Sequence, residues 1–210
     1  MTESHDPFDE KAATWDDDPA KVERARVVAD ALRDAVPLGP TTRLLEYGAG
    51  TGLVTQALRD AVGPVTLADT SAGMRAVMQR KVETGALAGA RIWDLDLGTD
   101  PVPDERFDLV VTVMVLHHVP RLEPVLAAFA ELLDDGGHLC VVDLDAEDGT
   151  FHDEGMDVHH GFDRDELAGQ LADAGFVDVT FRDCHEVERD GVTYPLFLAV
   201  AVRPPRSGGG

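Results

Sequence analysis

From Leu44 to Gly52 the chain reads Leu-Leu-Glu-Tyr-Gly-Ala-Gly-Thr-Gly. A short apolar run of this kind suits a buried strand, and glycines at 48, 50 and 52 follow where that strand meets a helix. Glycine there permits a tight turn and lets main-chain N–H groups come close to a ligand. A strand that breaks into a glycine turn and continues as a helix is the opening of an α/β fold.

The rest of the chain keeps the alternation. Pro19 opens a helix whose apolar positions Val22, Ala25, Val28, Ala29 and Leu32 have helical spacing, and Pro37, Gly39 and Pro40 stop it. Further helices are expected at 53–62, from a Thr70 or Ser71 cap to about Thr84, at 120–133, and from an Asp163 cap to Ala174. Strands are expected at 65–68, 90–93, 107–114, 138–144, 177–181 and 194–202, with an Asp190-Gly191 turn before the last. The fold class is therefore α/β: a Rossmann-like, seven-stranded, mostly parallel sheet with helices on both faces and an antiparallel closing strand. We expect a single domain over residues 1–203, an N-terminal lid and helix region at 1–36, a long functional loop at 145–161, and a disordered tail at 204–210.

Composition narrows the partners. Forty acidic against eighteen basic residues leave a formal net charge of −22. A field of that sign repels phosphate backbones and anionic lipid heads and suits a neutral or cationic small molecule or a basic protein; a small molecule is the expected partner, with no nucleic acid and no membrane. Solubility alone also accounts for the acidity. Cys140 and Cys184 are far apart and form no zinc-type pattern, and Cys140 reads as a buried strand residue. The polar start lacks a signal-like apolar segment, and no stretch reaches the roughly 18 apolar residues of a membrane span. A cytoplasmic monomer or homodimer is the resulting expectation.

Other features fall at the carboxyl ends of the strands, where open α/β sheets bind ligands. Asp69 closes the second strand, 17 residues after Gly52, and an acidic residue there can accept both hydroxyls of a ribose. Met74, on the next helix, can lie beside an adenine ring. In Asp94-Leu95-Asp96-Leu97 either carboxylate can accept from an adenine amino group. The fourth strand delivers His117 and His118 to the same edge.

These segments together resemble the class I S-adenosylmethionine-dependent methyltransferases, in the small-molecule group (types 11 and 12) that includes the ubiquinone/menaquinone-biosynthesis-like enzymes. The likeness runs over about residues 8–202 and rests on L-L-E-Y-G-A-G-T-G, L-A-D-T-S-A-G-M, D-L-D-L, F-D-L-V, V-L-H-H-V and L-L-D-D-G-G-H-L. It implies S-adenosyl-L-methionine as methyl donor and S-adenosyl-L-homocysteine as product. By position, Glu46, Gly48, Ala49, Gly50 and Gly52 would shape the methionine end of the site. Asp69 would hold the ribose near Thr70, Ser71 and Met74. Asp94, Leu95 and Asp96 would flank the adenine, and Val113 and Met114 would floor the sulfonium region.

The expected chemistry is methyl transfer to an N, O, S or C atom of a small acceptor. Positioning and a dry site carry most of it, with a general base only where the acceptor keeps its proton. His118, then His117, are the candidate bases, against a purely structural role for both. Phe8 and Trp15 are expected in a lid, and His152, His159 and His160 in an acceptor wall. The three loop histidines with their carboxylates also raise a zinc or iron site, but their spacing matches no helical metal pattern, so no metal is expected. A catalytically silent cofactor-binding module is one alternative. A nicotinamide-dependent oxidoreductase is another, disfavoured because the loop is not G-x-G-x-x-G and no Tyr-x-x-x-Lys pair occurs.

Overall fold

The computed structural model describes residues 7–152 and 158–205. The expected polar start, the middle of the 145–161 loop and most of the expected tail therefore lie outside the described residues. The chain forms two compact units, Met1–Asp96 and Leu97–Gly210. Strands β1 to β3 come from the first and β4 to β7 from the second, in a seven-stranded mixed sheet.

In the first unit, α1 (Pro7–Lys11) runs into a 3-10 turn at Ala12–Asp17, and α2 spans Pro19–Ala35. Asp18 caps α2 by accepting from the Ala20 amide, with Pro19 in the first turn, where its missing N–H costs nothing. Ala25, Val28, Ala29 and Leu32 of the expected stripe are buried, whereas Val22 in the first turn is 43% exposed. The fully buried strand β1 (Leu44–Tyr47) pairs in parallel with β2 (Val65–Ala68), and β2 with β3 (Arg91–Trp93). Helix α3 is shorter than its pattern suggested, Leu53–Leu58. Helix α4, Ala72–Thr84, is capped by Ser71, whose hydroxyl accepts from the Met74 amide, and stops at Gly85 in the left-handed region.

In the second unit, β4 (Phe107–Val113) pairs in parallel with β5 (Leu133–Leu144). Between them lie a 3-10 turn at Leu116–His118 and helix α5, Leu122–Leu132. Leu122, Val125, Leu126, Phe129 and Leu132 recur at helical spacing in α5 and are all buried. Helix α6, Arg164–Asp173, is capped by Asp163, which accepts from the Asp165 and Glu166 amides. The closing strands are longer than their apolar cores: β6 covers Val177–Arg189 and β7 Val192–Val202. The Asp190-Gly191 turn joins them with both residues at positive φ, as a two-residue hairpin needs. Strand β7 is antiparallel to β5 on one side and to β6 on the other, so β6 lies outermost. Two register shifts interrupt β6, at Val177–Thr180 and Asp183–His185. Cys140 is buried in β5 as expected, and burial pushes its thiol up to about 12. Among the described residues no helix is long and apolar enough to cross a membrane.

Candidate functional site

The glycine turn is built as its spacing requires. Gly48, Gly50 and Gly52 all take positive φ, at 68°, 57° and 78°. A Cβ at Gly52 would stand 2.9 Å from Leu87 Cδ1 and 3.3 Å from Leu67 Cδ1, so glycine is needed there for space as well as for conformation. At Gly50 the nearest atom to a Cβ is Trp15 Nε1, at 4.0 Å. Glu46, the penultimate residue of β1, is almost completely buried, and its Oε2 accepts from the Thr55 amide at 3.0 Å, tying the strand to the first turn of α3. Burial raises the Glu46 carboxyl from 4.5 to about 7, against the opposing pull of the Thr55 hydrogen bond.

Asp69 follows β2 and faces that turn. Its Oδ2 accepts from the Gly50 amide at 2.7 Å and its Oδ1 from the Ser71 amide at 2.9 Å. The N-terminal segment is fastened around the same loops by two more carboxylates. Asp9 accepts from the Ser71 hydroxyl at 2.6 Å and the Gly73 amide at 2.7 Å. Asp16 accepts from the Thr51 hydroxyl at 2.5 Å and lies 2.6 Å from Lys81 Nζ. Phe8 and Trp15 meet edge to face at 6.1 Å, with Lys21 Nζ 4.4 Å from the indole centroid.

The remaining positions of the first unit divide. Met74 and Leu95 are buried, Ala49 is buried within the turn, and Asp96 is half-buried. Thr70 and Asp94 are exposed. The Asp94 carboxylate is engaged by Arg75 at 2.8 Å, and that guanidinium also donates to the Asp69 and Thr70 carbonyls.

The second unit holds a separate constellation. Val113 and Met114 are half-buried at the end of β4, and Met114 takes φ 58°, a rare conformation for a residue with a side chain. His117, only 1% exposed, places Nδ1 2.5 Å from Oδ1 of Asp143, itself fully buried near the end of β5. The half-buried His118 ring lies 4.1 Å from that of His117, and the His152 ring stands 5.0 Å from both. Burial lowers the pKa of His152, and the neighbouring His117 and Arg189 lower it further.

The other loop histidines stand apart. His159 donates its amide to the His117 carbonyl at 2.8 Å, and its Nε2 lies 2.9 Å from the Val119 carbonyl oxygen, so it clamps the 117–119 turn. His160 is exposed and packs on Gly149. Asp9, Asp16 and Asp143 are participants that the sequence did not single out. Only Asp143 left a signal, as a carboxylate that closes the apolar run Leu139–Val142 and is followed by Leu144.

The family model described as "Methyltransferase domain" matches residues 20–180. An uncharacterized methyltransferase of Mycobacterium tuberculosis is 36% identical over 119 residues, 56% of this chain and 58% of that protein. The 27-O-demethylrifamycin SV methyltransferase of Amycolatopsis mediterranei is 26% identical over 85% of this chain and 70% of its own length. The crystal structure of a SAM-dependent methyltransferase from Aquifex aeolicus superposes with a TM-score of 0.69 at 20% identity, covering 92% of this chain and 97% of that one. The match can be a small part of its relative: it spans 3% of the hybrid PKS-NRPS synthetase lepA of Aspergillus flavus.

Proposed function

Since the chain belongs to the methyltransferase-domain family, we propose that it transfers a methyl group from S-adenosylmethionine to a small-molecule acceptor. The observation that carries this reading is the hydrogen bond from the Gly50 amide to Asp69 Oδ2, which holds a carboxylate against the glycine turn. The Gly50 amide binds one Asp69 oxygen and the Ser71 amide the other, which fixes the carboxylate plane at the carboxyl end of β2, where an acidic residue can meet the hydroxyls of a ribose. Gly48 and Gly50 present backbone to the ligand with no Cβ in the way. Trp15, beside Gly50, and the carboxylates of Asp9 and Asp16 make residues 7–17 a lid over this unit's loops.

S-adenosylmethionine supplies a methyl carbon on a sulfonium, from which a neutral thioether leaves. The chain's part is to hold donor and acceptor in line and to exclude water. Where the acceptor keeps its proton at neutral pH, His117 oriented by Asp143, or the adjacent His118, is equipped to take it. The charge of −22 favours a neutral or cationic acceptor. Relatives named as a ubiquinone/menaquinone biosynthesis C-methyltransferase and a 27-O-demethylrifamycin SV methyltransferase support a small molecule and leave the acceptor atom open.

The test is ligand binding. S-adenosylhomocysteine should raise the melting temperature of the protein and NAD should not, because a ligand stabilises only the state that binds it. Asp69→Ala should weaken S-adenosylhomocysteine binding by on the order of 100-fold in calorimetry, since charge-assisted hydrogen bonds to the ligand are lost. Unchanged affinity in that variant, or stabilisation by NAD alone, would overturn the assignment.

A further inference from the structure

We propose that His117, His118 and His152 form a three-imidazole site for a divalent transition-metal ion, zinc foremost. Each offers a ring nitrogen, and the three atoms lie within 4.8 Å of one another. A Zn–N bond is about 2.0–2.1 Å, so tetrahedral partners stand roughly 3.4 Å apart, and modest side-chain rotation closes the difference.

The surroundings are those of a ligand set. The Asp143 contact occupies Nδ1 of His117 and leaves Nε2 as its coordinating atom. A carboxylate on the far nitrogen of a ligating histidine fixes tautomer and ring orientation and makes the ligand more basic. His152 Nε2 is buried without a hydrogen-bond partner, and so is Asp143 Oδ2. Buried polar atoms are seldom left so, and a bound cation gives the first a partner and the second a compensating charge.

The third ligand is also held in place. Glu147 Oε2 accepts the amides of Gly149, Thr150 and Phe151, which locks the turn ahead of His152. Phe151 anchors that turn against Tyr194, at 5.0 Å between centroids, while the Tyr194 hydroxyl is 2.8 Å from that of Thr150. His159 clamps the turn that carries the other two ligands. His117, Arg189, Glu147 and Asp143 are the charged or titratable groups acting on His152, so the site is not a carboxylate cluster and the imidazoles are its ligands. Three imidazoles with no thiolate match zinc sites that keep a fourth position open for water or an anionic oxygen.

A nitrogen that ligates an ion has no lone pair for a proton. Metal binding and general-base action by these histidines are therefore mutually exclusive.

The full-length chain, stripped with chelator and free of methyl donor, is titrated with zinc against a chromophoric competitor and separately with cobalt(II). We expect about one ion per chain at micromolar affinity or tighter and a tetrahedral cobalt spectrum. Asp143→Asn should weaken zinc by roughly 10–100-fold and His152→Ala by about 100-fold or more, the latter abolishing the cobalt bands, with circular dichroism unchanged. Failure to take up zinc at micromolar concentration overturns the proposal, as does zinc affinity unchanged from the wild type in His152→Ala and in His118→Ala. Binding of S-adenosylhomocysteine is read separately, so either conclusion can fail alone.

Discussion

Gly50 and Gly52 share a turn and a handedness but differ in the space around them, and that difference can be measured. Alanine at either position must hold a left-handed backbone, which costs roughly 1–2 kcal/mol. The same change restricts the unfolded chain and returns about 0.4–1 kcal/mol. Gly50→Ala therefore loses on the order of 1 kcal/mol, because its methyl group meets nothing nearer than Trp15 at 4.0 Å. Gly52→Ala drives its methyl group to 2.9 Å from Leu87 and 3.3 Å from Leu67, and overpacking adds about 1–3 kcal/mol. Its total is roughly 2–4 kcal/mol. In a chain of this size each kcal/mol moves the melting temperature by about 2–4 °C, so Gly50→Ala should fall by a few degrees and Gly52→Ala by on the order of 10 °C. Thermal and urea unfolding of both variants without ligand would check this. Equal losses, or a larger loss at Gly50, would refute the packing argument and leave backbone strain as the only cost.

Three further outcomes are expected. Glu46 holds its proton to about pH 7 in the fold but only to 4.5 when unfolded, so its contribution to stability falls as pH rises between those values and is level above them. Glu46→Gln should match the wild type near pH 4.5 and exceed it by up to about 3 kcal/mol at pH 8 in urea titrations, and a gap that does not change with pH contradicts this. Asp163→Ala removes the acceptor for two amides of α6 and should cost about 1 kcal/mol, whereas Asp163→Asn should cost much less; equal melting points for the two variants would argue against the cap. Asp16→Ala unfastens the N-terminal segment from Thr51 and Lys81 and should speed S-adenosylhomocysteine dissociation by roughly 10-fold in stopped-flow measurements; an unchanged rate would remove the lid.

Features set by neighbours along the chain were legible before any coordinates. The Ser71 and Asp163 caps, the Asp190-Gly191 turn, the glycine turn after β1 and the burial of Cys140 each follow from one residue's chemistry in a local pattern. Lengths were less legible: β6 and β7 extend beyond their apolar runs because hairpin pairing continues through polar residues that carry no period. The histidine constellation depends on distant pairs. Asp143 lies 26 residues beyond His117, and His152 arrives through a turn held by the Glu147 carboxylate, which helical spacing rules do not describe. Asp9 and Asp16 sit in an acidic stretch where nothing marks one carboxylate from the next until the fold sets Ser71 and Thr51 against them.

The outermost strand has a consequence for the protein in concentrated solution. Strand β6, thirteen residues long, pairs with β7 along one side, and the outer side of such an edge strand invites a second chain to dock and extend the sheet without limit. Here the ladder is broken twice, and Asp178 adopts φ 52° within the first irregularity, so an incoming strand meets no even row of donors. Arg182, Asp183, Glu186, Glu188 and Arg189 line the same border with charges of both signs. Together these features oppose fibre growth, and replacing the charges with threonine or valine would turn the margin into a template for self-association.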